Sequence, residues 1–134
     1  MEYCDMGNLH QYQSKLSQRV FNFSEALRVI HQVMRGVEAI HQRSIIHRDL
    51  KCENIFLHKN KNGAYVCKIG DFGLAKVLEN TAKTSCGTIY FMAPEVIEHE
   101  PYDYQADIWS IGVIFYYTLF GEYPFKCTFL LTQP

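Results

Sequence analysis

The chain has almost no excess of charge of either sign, with a formal net charge of -1 over 134 residues. That balance excludes a basic footprint for nucleic acid, which needs clustered lysine and arginine to neutralise phosphates. A run such as His58-Lys59-Asn60-Lys61 reads as a solvated loop. Long apolar runs are lacking too: Ile108 to Phe120 falls short of the roughly 20 residues a membrane span needs, so a buried core helix is expected there. No signal peptide is expected, since Met1 leads straight into an acidic, polar segment. The five cysteines, at 4, 52, 67, 86 and 127, are odd in number and lack two-residue spacing, which argues against a disulfide framework or a zinc site. The expectation is a reducing compartment, hence an intracellular, cytoplasmic protein with no membrane or nucleic-acid partner. Internal repeats and low-complexity segments are also absent. Apolar residues make up 48% of the chain, enough for the core of one domain and no second.

Periodicity supplies the elements. Ser24 followed by Glu25 predicts a helix start, and Leu27, Ile30, Met34, Val37 and Ile40 recur at three and four residues as one buried stripe closed by His41. His41 reads as an ordinary satisfied core residue and is given no chemistry. Ile55 to Leu57 and Tyr65 to Ile69, flanking a turn at Asn62-Gly63, predict a hairpin.

Three ordered landmarks carry chemistry. They are His47-Arg48-Asp49-Leu50-Lys51-Cys52-Glu53-Asn54, then Asp71-Phe72-Gly73, then Ala93-Pro94-Glu95. Alone, the second is a turn after a strand and the third a helix start with proline in its first turn. Joined by Gly87-Thr88 and by the run Asp107 to Gly112, together they resemble the catalytic core of the eukaryotic protein kinase superfamily, serine/threonine branch.

The resemblance implies an α+β fold: the mainly helical large lobe of a protein kinase with a small β-hairpin at the active site. It implies transfer of phosphate from ATP, with Mg2+, to hydroxyls of a protein substrate. Such chemistry needs positioning and charge neutralisation more than covalent help. Carried over by position, Asp49 orients the acceptor hydroxyl, Lys51 faces the transferred phosphate, and Asn54 and Asp71 hold magnesium, which prefers such oxygen donors. Backbone groups of Glu2 and Cys4 would bind adenine, with Leu9 and Phe56 beneath it. Thr84 stands at the usual regulatory phosphosite, with Arg48 and Lys76 as its phosphate-binding cations; Arg48 is expected to be a buried cation otherwise lacking a partner.

Smaller details bear on substrate. Lys51 and Gly87-Thr88 suit serine/threonine acceptors, and Leu74 resembles kinases favouring serine. Relatives that require upstream arginine place acidic residues at positions 8 and 117; here these are Asn8 and Tyr117, and only Glu53 remains. A strong basic requirement is therefore not expected.

On the same resemblance Met1 aligns with the hinge gatekeeper. Residues 1–134 are then expected to be a partial kinase domain truncated at both ends, lacking the small lobe and the last large-lobe helices. Glu95 is expected to be a buried carboxylate that pairs with an arginine from those helices. The isolated chain is expected to be inactive, and a non-catalytic binding or scaffold remnant is the alternative class; the oligomeric state is left open.

Overall fold

Asn8 and Asn22 open the first two helices, because a carboxamide on extended backbone accepts from a first-turn N–H that has no helical partner. In the computed structural model, which describes residues 4–70 and 89–125, Asn8 caps α1 (Leu9–Ser14). Its Oδ1 accepts from the Gln11 backbone N–H at 2.8 Å while Gln11 Oε1 accepts from the Asn8 N–H at 3.2 Å, a reciprocal cap. Asn22 accepts from the Glu25 N–H at 2.9 Å and starts α2 (Phe23–His41). The cap is thus Asn22, not Ser24, because Asn22 is the last extended residue and Ser24 is already helical.

The core face of α2 is Ala26, Val29, Ile30, Val33, Val37 and Ile40. Ile30, Val37 and Ile40 lie as expected, but Leu27 and Met34 are 44% and 51% exposed. At about 100° per residue, those two fall at the edge of a stripe centred on Ala26, Val33 and Val37.

A 3-10 turn (Cys52–Asn54) leads into the hairpin of β1 (Ile55–Lys59) and β2 (Tyr65–Ile69), antiparallel with Ile55 opposite Ile69 and Lys59 opposite Tyr65. Both edges of this two-stranded sheet are covered, which removes unpaired backbone that would otherwise recruit another strand. Along β1, the Leu57 N–H donates to Gly7 O at 2.9 Å and the Met6 N–H donates to Leu57 O at 3.3 Å. Along β2 a single side chain serves: Gln32 of α2 donates to Tyr65 O and accepts from the Cys67 N–H, each at 3.0 Å.

Pro94 sits in the first turn of the short α3 (Pro94–Ile97), where its missing N–H costs nothing. The run after it forms α4 (Gln105–Phe120), which ends at Gly121 with φ 71° and an N–H to Tyr117 O bond of 2.8 Å. A Cβ at Gly121 would also lie 3.3 Å from Arg19 O, so glycine suits this cap twice over. Buried Gln13 ties the ends together by donating to Arg19 O and Tyr117 O at 2.9 Å each.

One core joins Leu9, Val33, Leu50, Ile55, Leu57, Phe91 and Ile114. The expectation that Ile108 to Phe120 is buried holds for one side of α4 only: Ile111, Val113 and Ile114 are in the core, while Ile108 and Phe120 are 54% and 59% exposed. Among the described residues no helix is long and apolar enough to cross a membrane.

The two isoleucines make a test of this packing. Ile114→Ala, at a fully buried site, should lower unfolding free energy by about 2–5 kcal/mol. Ile108→Ala should stay within about 0.5 kcal/mol. Urea denaturation midpoints measure both, and equal losses would contradict the orientation of α4.

Candidate active site

Residues 47–51 cross from α2 to the 3-10 turn without regular backbone pairing, so their geometry must be imposed from elsewhere. Asp107, in the first turn of α4 and only 1% exposed, imposes it. Its Oδ2 accepts from the His47 backbone N–H at 2.9 Å and lies 2.7 Å from His41 Nε2, while Oδ1 accepts from the Arg48 N–H at 3.0 Å. Burying a carboxylate is tolerable only with such donors around it. Arg48 has φ 71°, a left-handed conformation costing roughly 1–2 kcal/mol for an ordinary residue. A hydrogen bond to a charged acceptor contributes about 1.5–3 kcal/mol, so the Asp107 bonds offset the strain.

His47 ties the loop to the hairpin. Its Nδ1 accepts from the Asp49 N–H at 3.3 Å and its Nε2 donates to Gly70 O at 3.0 Å, two bonds that one tautomer satisfies. Asp49 is 8% exposed, and its Oδ2 lies 3.1 Å from Asn54 Nδ2 and 3.3 Å from Lys51 Nζ. Asn54 Nδ2 also donates to Asp49 O at 2.8 Å, and Asn54 O accepts from the Gly70 N–H at 2.8 Å. Asn54 immediately precedes β1 and Gly70 immediately follows β2, so the open end of the hairpin brings Asp49, Lys51 and Asn54 beside the backbone that leads to position 71. Asp71 itself, with Glu2, Lys76 and Thr84, lies outside the described residues. Among the described residues no group of three or more His, Cys, Asp or Glu is arranged to hold a metal.

Towards the N-terminal side, Cys4 is partly buried and its carbonyl accepts from the Gly7 N–H at 3.3 Å. Leu9 is completely buried, whereas Phe56, bridged to Asn8 across the edge of β1, keeps part of its surface. A Cβ on Gly70 would stand 2.6 Å from Phe56 Cε2, so the ring lies where only glycine leaves room.

Arg48 departs from expectation. It is exposed, with its guanidinium 5.5 Å from the centre of the Tyr102 ring, because the positive φ aims its N–H at Asp107 and leaves the side chain at the surface. Glu95 is not the expected buried carboxylate either. It is partly exposed at the rim of an open groove of about 720 Å³ that Trp109, Tyr116 and Phe125 also line.

Positions 8 and 117 hold no charge to meet a cation. Asn8 is committed to capping α1, and the Tyr117 hydroxyl lies 3.2 Å from His10 Nδ1. Tyr123 stacks on Tyr117 at 4.9 Å and on Tyr90 at 4.2 Å. Burial, with smaller contributions from neighbouring groups that include Glu53, raises the Tyr117 phenol and pushes Tyr123 up to about 12. Glu53 Oε2 is buried and has no hydrogen-bond partner among the described residues.

Sequence reasoning missed two residues. Asp107 counted only as part of a supporting run, and His41 only as core. Their partners lie 59 to 66 positions away, a separation that leaves no local signal of spacing or period.

These geometries agree with what the chain is similar to. The family model described as the protein kinase domain matches residues 1–129. The chain is 40% identical over 129 residues to serine/threonine-protein kinase Nek5 of Homo sapiens, covering 94% of this chain and 18% of that protein. It is 37% identical over 128 residues to serine/threonine-protein kinase PLK4 of Drosophila virilis, covering 93% of this chain and 16% of that protein. A crystal structure of the Rad53 kinase domain and SCD2 in complex with AMPPNP matches with a TM-score of 0.74 at 30% identity, over 94% of this chain and 44% of that one. The chain therefore spans less than a fifth of the length of these two relatives. With the domain model matched along nearly its whole length, the chain belongs to the eukaryotic protein kinase superfamily, in its serine/threonine branch.

Proposed function

We propose that this chain carries the phosphoryl-transfer site of a protein kinase that moves the terminal phosphate of ATP to serine or threonine hydroxyls of proteins, residues 1–134 being part of that kinase domain. The observation that carries the reading is the Asp49 carboxylate, nearly buried and held between Asn54 and Lys51 on a loop fixed by Asp107. Asp49 orients the acceptor hydroxyl and takes its proton as the new P–O bond forms. Lys51, 3.3 Å from the same carboxylate oxygen, brings a positive charge for the phosphate in transit.

Both Asn54 amide hydrogens face Asp49 oxygens, which leaves its amide oxygen for a cation. With the Asp71 carboxylate it makes a donor set of the hard oxygens that suit Mg2+. The ion, when bound, neutralises phosphate charge. Backbone groups of Glu2 and Cys4 would bind the adenine, Phe56 would pack beneath it, and completely buried Leu9 would support that floor from the core. The AMPPNP in the similar Rad53 structure supports ATP as the donor.

Substrates are proposed to need no strong upstream basic residue, because Asn8 is a cap and Tyr117 is a neutral member of an aromatic stack. Phosphorylation at Thr84 would order the segment between Asp71 and Glu95 through Arg48 and Lys76, and the surface position of the Arg48 guanidinium suits it to that task. Cys52 and Cys67 are free thiols, which fits a reducing, cytoplasmic setting.

In the full-length protein, Asp49→Asn and Asp71→Asn should each lower phosphate incorporation into a peptide pool by about 10²–10⁴. Near-native rates in both variants would overturn the assignment. Thr84→Ala should reduce activity while Thr81→Ala leaves it unchanged. Phosphosite mapping checks this directly, and a fully active preparation unmodified at Thr84 would count against it.

A further inference from the structure

We propose that His58 is a positioning residue for ATP, holding the backbone at Cys4 through the carboxylate of Asp5. The role rests on Cys4 binding the adenine, as proposed above. Residues 4–7 belong to no helix or strand, and their shape comes from one turn laid against β1. In it the Gly7 N–H donates to Cys4 O at 3.3 Å, with Asp5 and Met6 at the corners and Gly7 at φ 73°. Past the turn the chain is fixed, because Gly7 O accepts the Leu57 N–H at 2.9 Å and Asn8 bridges to Phe56. The Asp5 corner is fixed by the far end of β1. There Asp5 Oδ1 accepts from His58 Nδ1 at 3.0 Å and from the Lys59 backbone N–H at 3.3 Å.

Both anchors are needed because a turn held at one end rocks. The bond from the Met6 N–H to Leu57 O, 3.3 Å long, lies between them and serves as the pivot. Of the donors on Asp5 the His58 ring is the nearer, and the Lys59 bond by itself is long for an N–H to oxygen contact. A carboxylate left with that bond alone turns about its broad terminal torsion. Asp5 then drifts, and the peptide group joining it to Cys4 drifts with it. Adenine contacts made by backbone depend on the direction of that group, whereas Asp49, held by Asn54 and Lys51, is untouched. The pair positions and does not stabilise. The side chains of His58 and Asp5 are 39% and 48% exposed, so water competes for the contact and the fold does not depend on it.

The test uses the full-length protein and Mg-ATP. His58→Phe keeps a ring but has no donor, and His58→Asn puts an amide N–H near the place of Nδ1. His58→Phe should raise the Kd and the KM for ATP by about threefold to tenfold, with turnover at saturating ATP and the KM for the peptide within about twofold of native. His58→Asn should bring both ATP constants back to within about twofold of native. Asp5→Ala should weaken ATP at least as much as His58→Phe, and combining the two should cost less than about twofold beyond Asp5→Ala alone. Hydrogen exchange at the Met6 amide, referenced to Val33, should quicken by about fivefold in His58→Phe without nucleotide. In the native protein, ATP should slow exchange at the Cys4 amide, which checks the adenine reading by itself. Native ATP constants in His58→Phe, a loss confined to turnover, no rescue by His58→Asn, or an undiminished loss in the double variant would overturn the proposal. Unchanged exchange at Met6 would overturn it at the contact with Asp5. Quickened exchange at Met6 without protection at Cys4 would overturn it at the adenine reading instead.

Discussion

A buried carboxylate carries the constraint on which the site depends. Asp107 holds two successive backbone amides of a loop that has no sheet or helix of its own, and one of those residues, Arg48, sits at φ 71°. Released from that grip, Arg48 would relax towards ordinary backbone, and the direction of Asp49 one residue later would change with it. The cost of burying Asp107 and the strain at Arg48 are each unfavourable alone. They become tolerable together because the donors that satisfy the carboxylate are the groups whose geometry needs holding.

The hairpin completes the arrangement from the other side. Its register sets Ile55 opposite Ile69, so the residues just outside that pair, Asn54 and Gly70, meet at the open end. Asn54 then reaches Asp49 and His47 reaches Gly70 O, which joins the loop to the strand end. Covered edges keep the small sheet in one register, the preceding segment on β1 and Gln32 on β2. Gly70 contributes by lacking a side chain, since a Cβ would displace the Phe56 ring.

Much of this was legible in the sequence. The period-two strands gave the hairpin, and the ordered run from His47 to Asn54 named Asp49, Lys51 and Asn54, which the fold brings within a few ångströms. The family was legible for the same reason, since its motifs are short and contiguous. Other features were not legible, for definite reasons. Two overlapping three-and-four stripes on α2 share Ile30, Val37 and Ile40, and only packing against α4 and β2 chose the one that exposes Leu27 and Met34. The burial assigned to Arg48 failed because a positive φ separates where an N–H points from where its side chain goes. The contacts of Asp107 with His41, His47 and Arg48 escaped notice because they join elements distant in sequence.

The most direct measurement of the central claim is a double-mutant cycle on turnover in the full-length kinase, pairing Asp107→Asn with Asp49→Asn. The amide of asparagine turns a donor towards at least one of the N–H groups Asp107 accepts, so the grip is lost with little change of volume. If Asp107 acts by aiming Asp49, Asp107→Asn alone should lower turnover by about 10–10³ with the KM for ATP little changed, and should cost less than about threefold more once Asp49 is already asparagine. Unaltered turnover in Asp107→Asn, or a loss that multiplies undiminished with that of Asp49→Asn, would contradict the account.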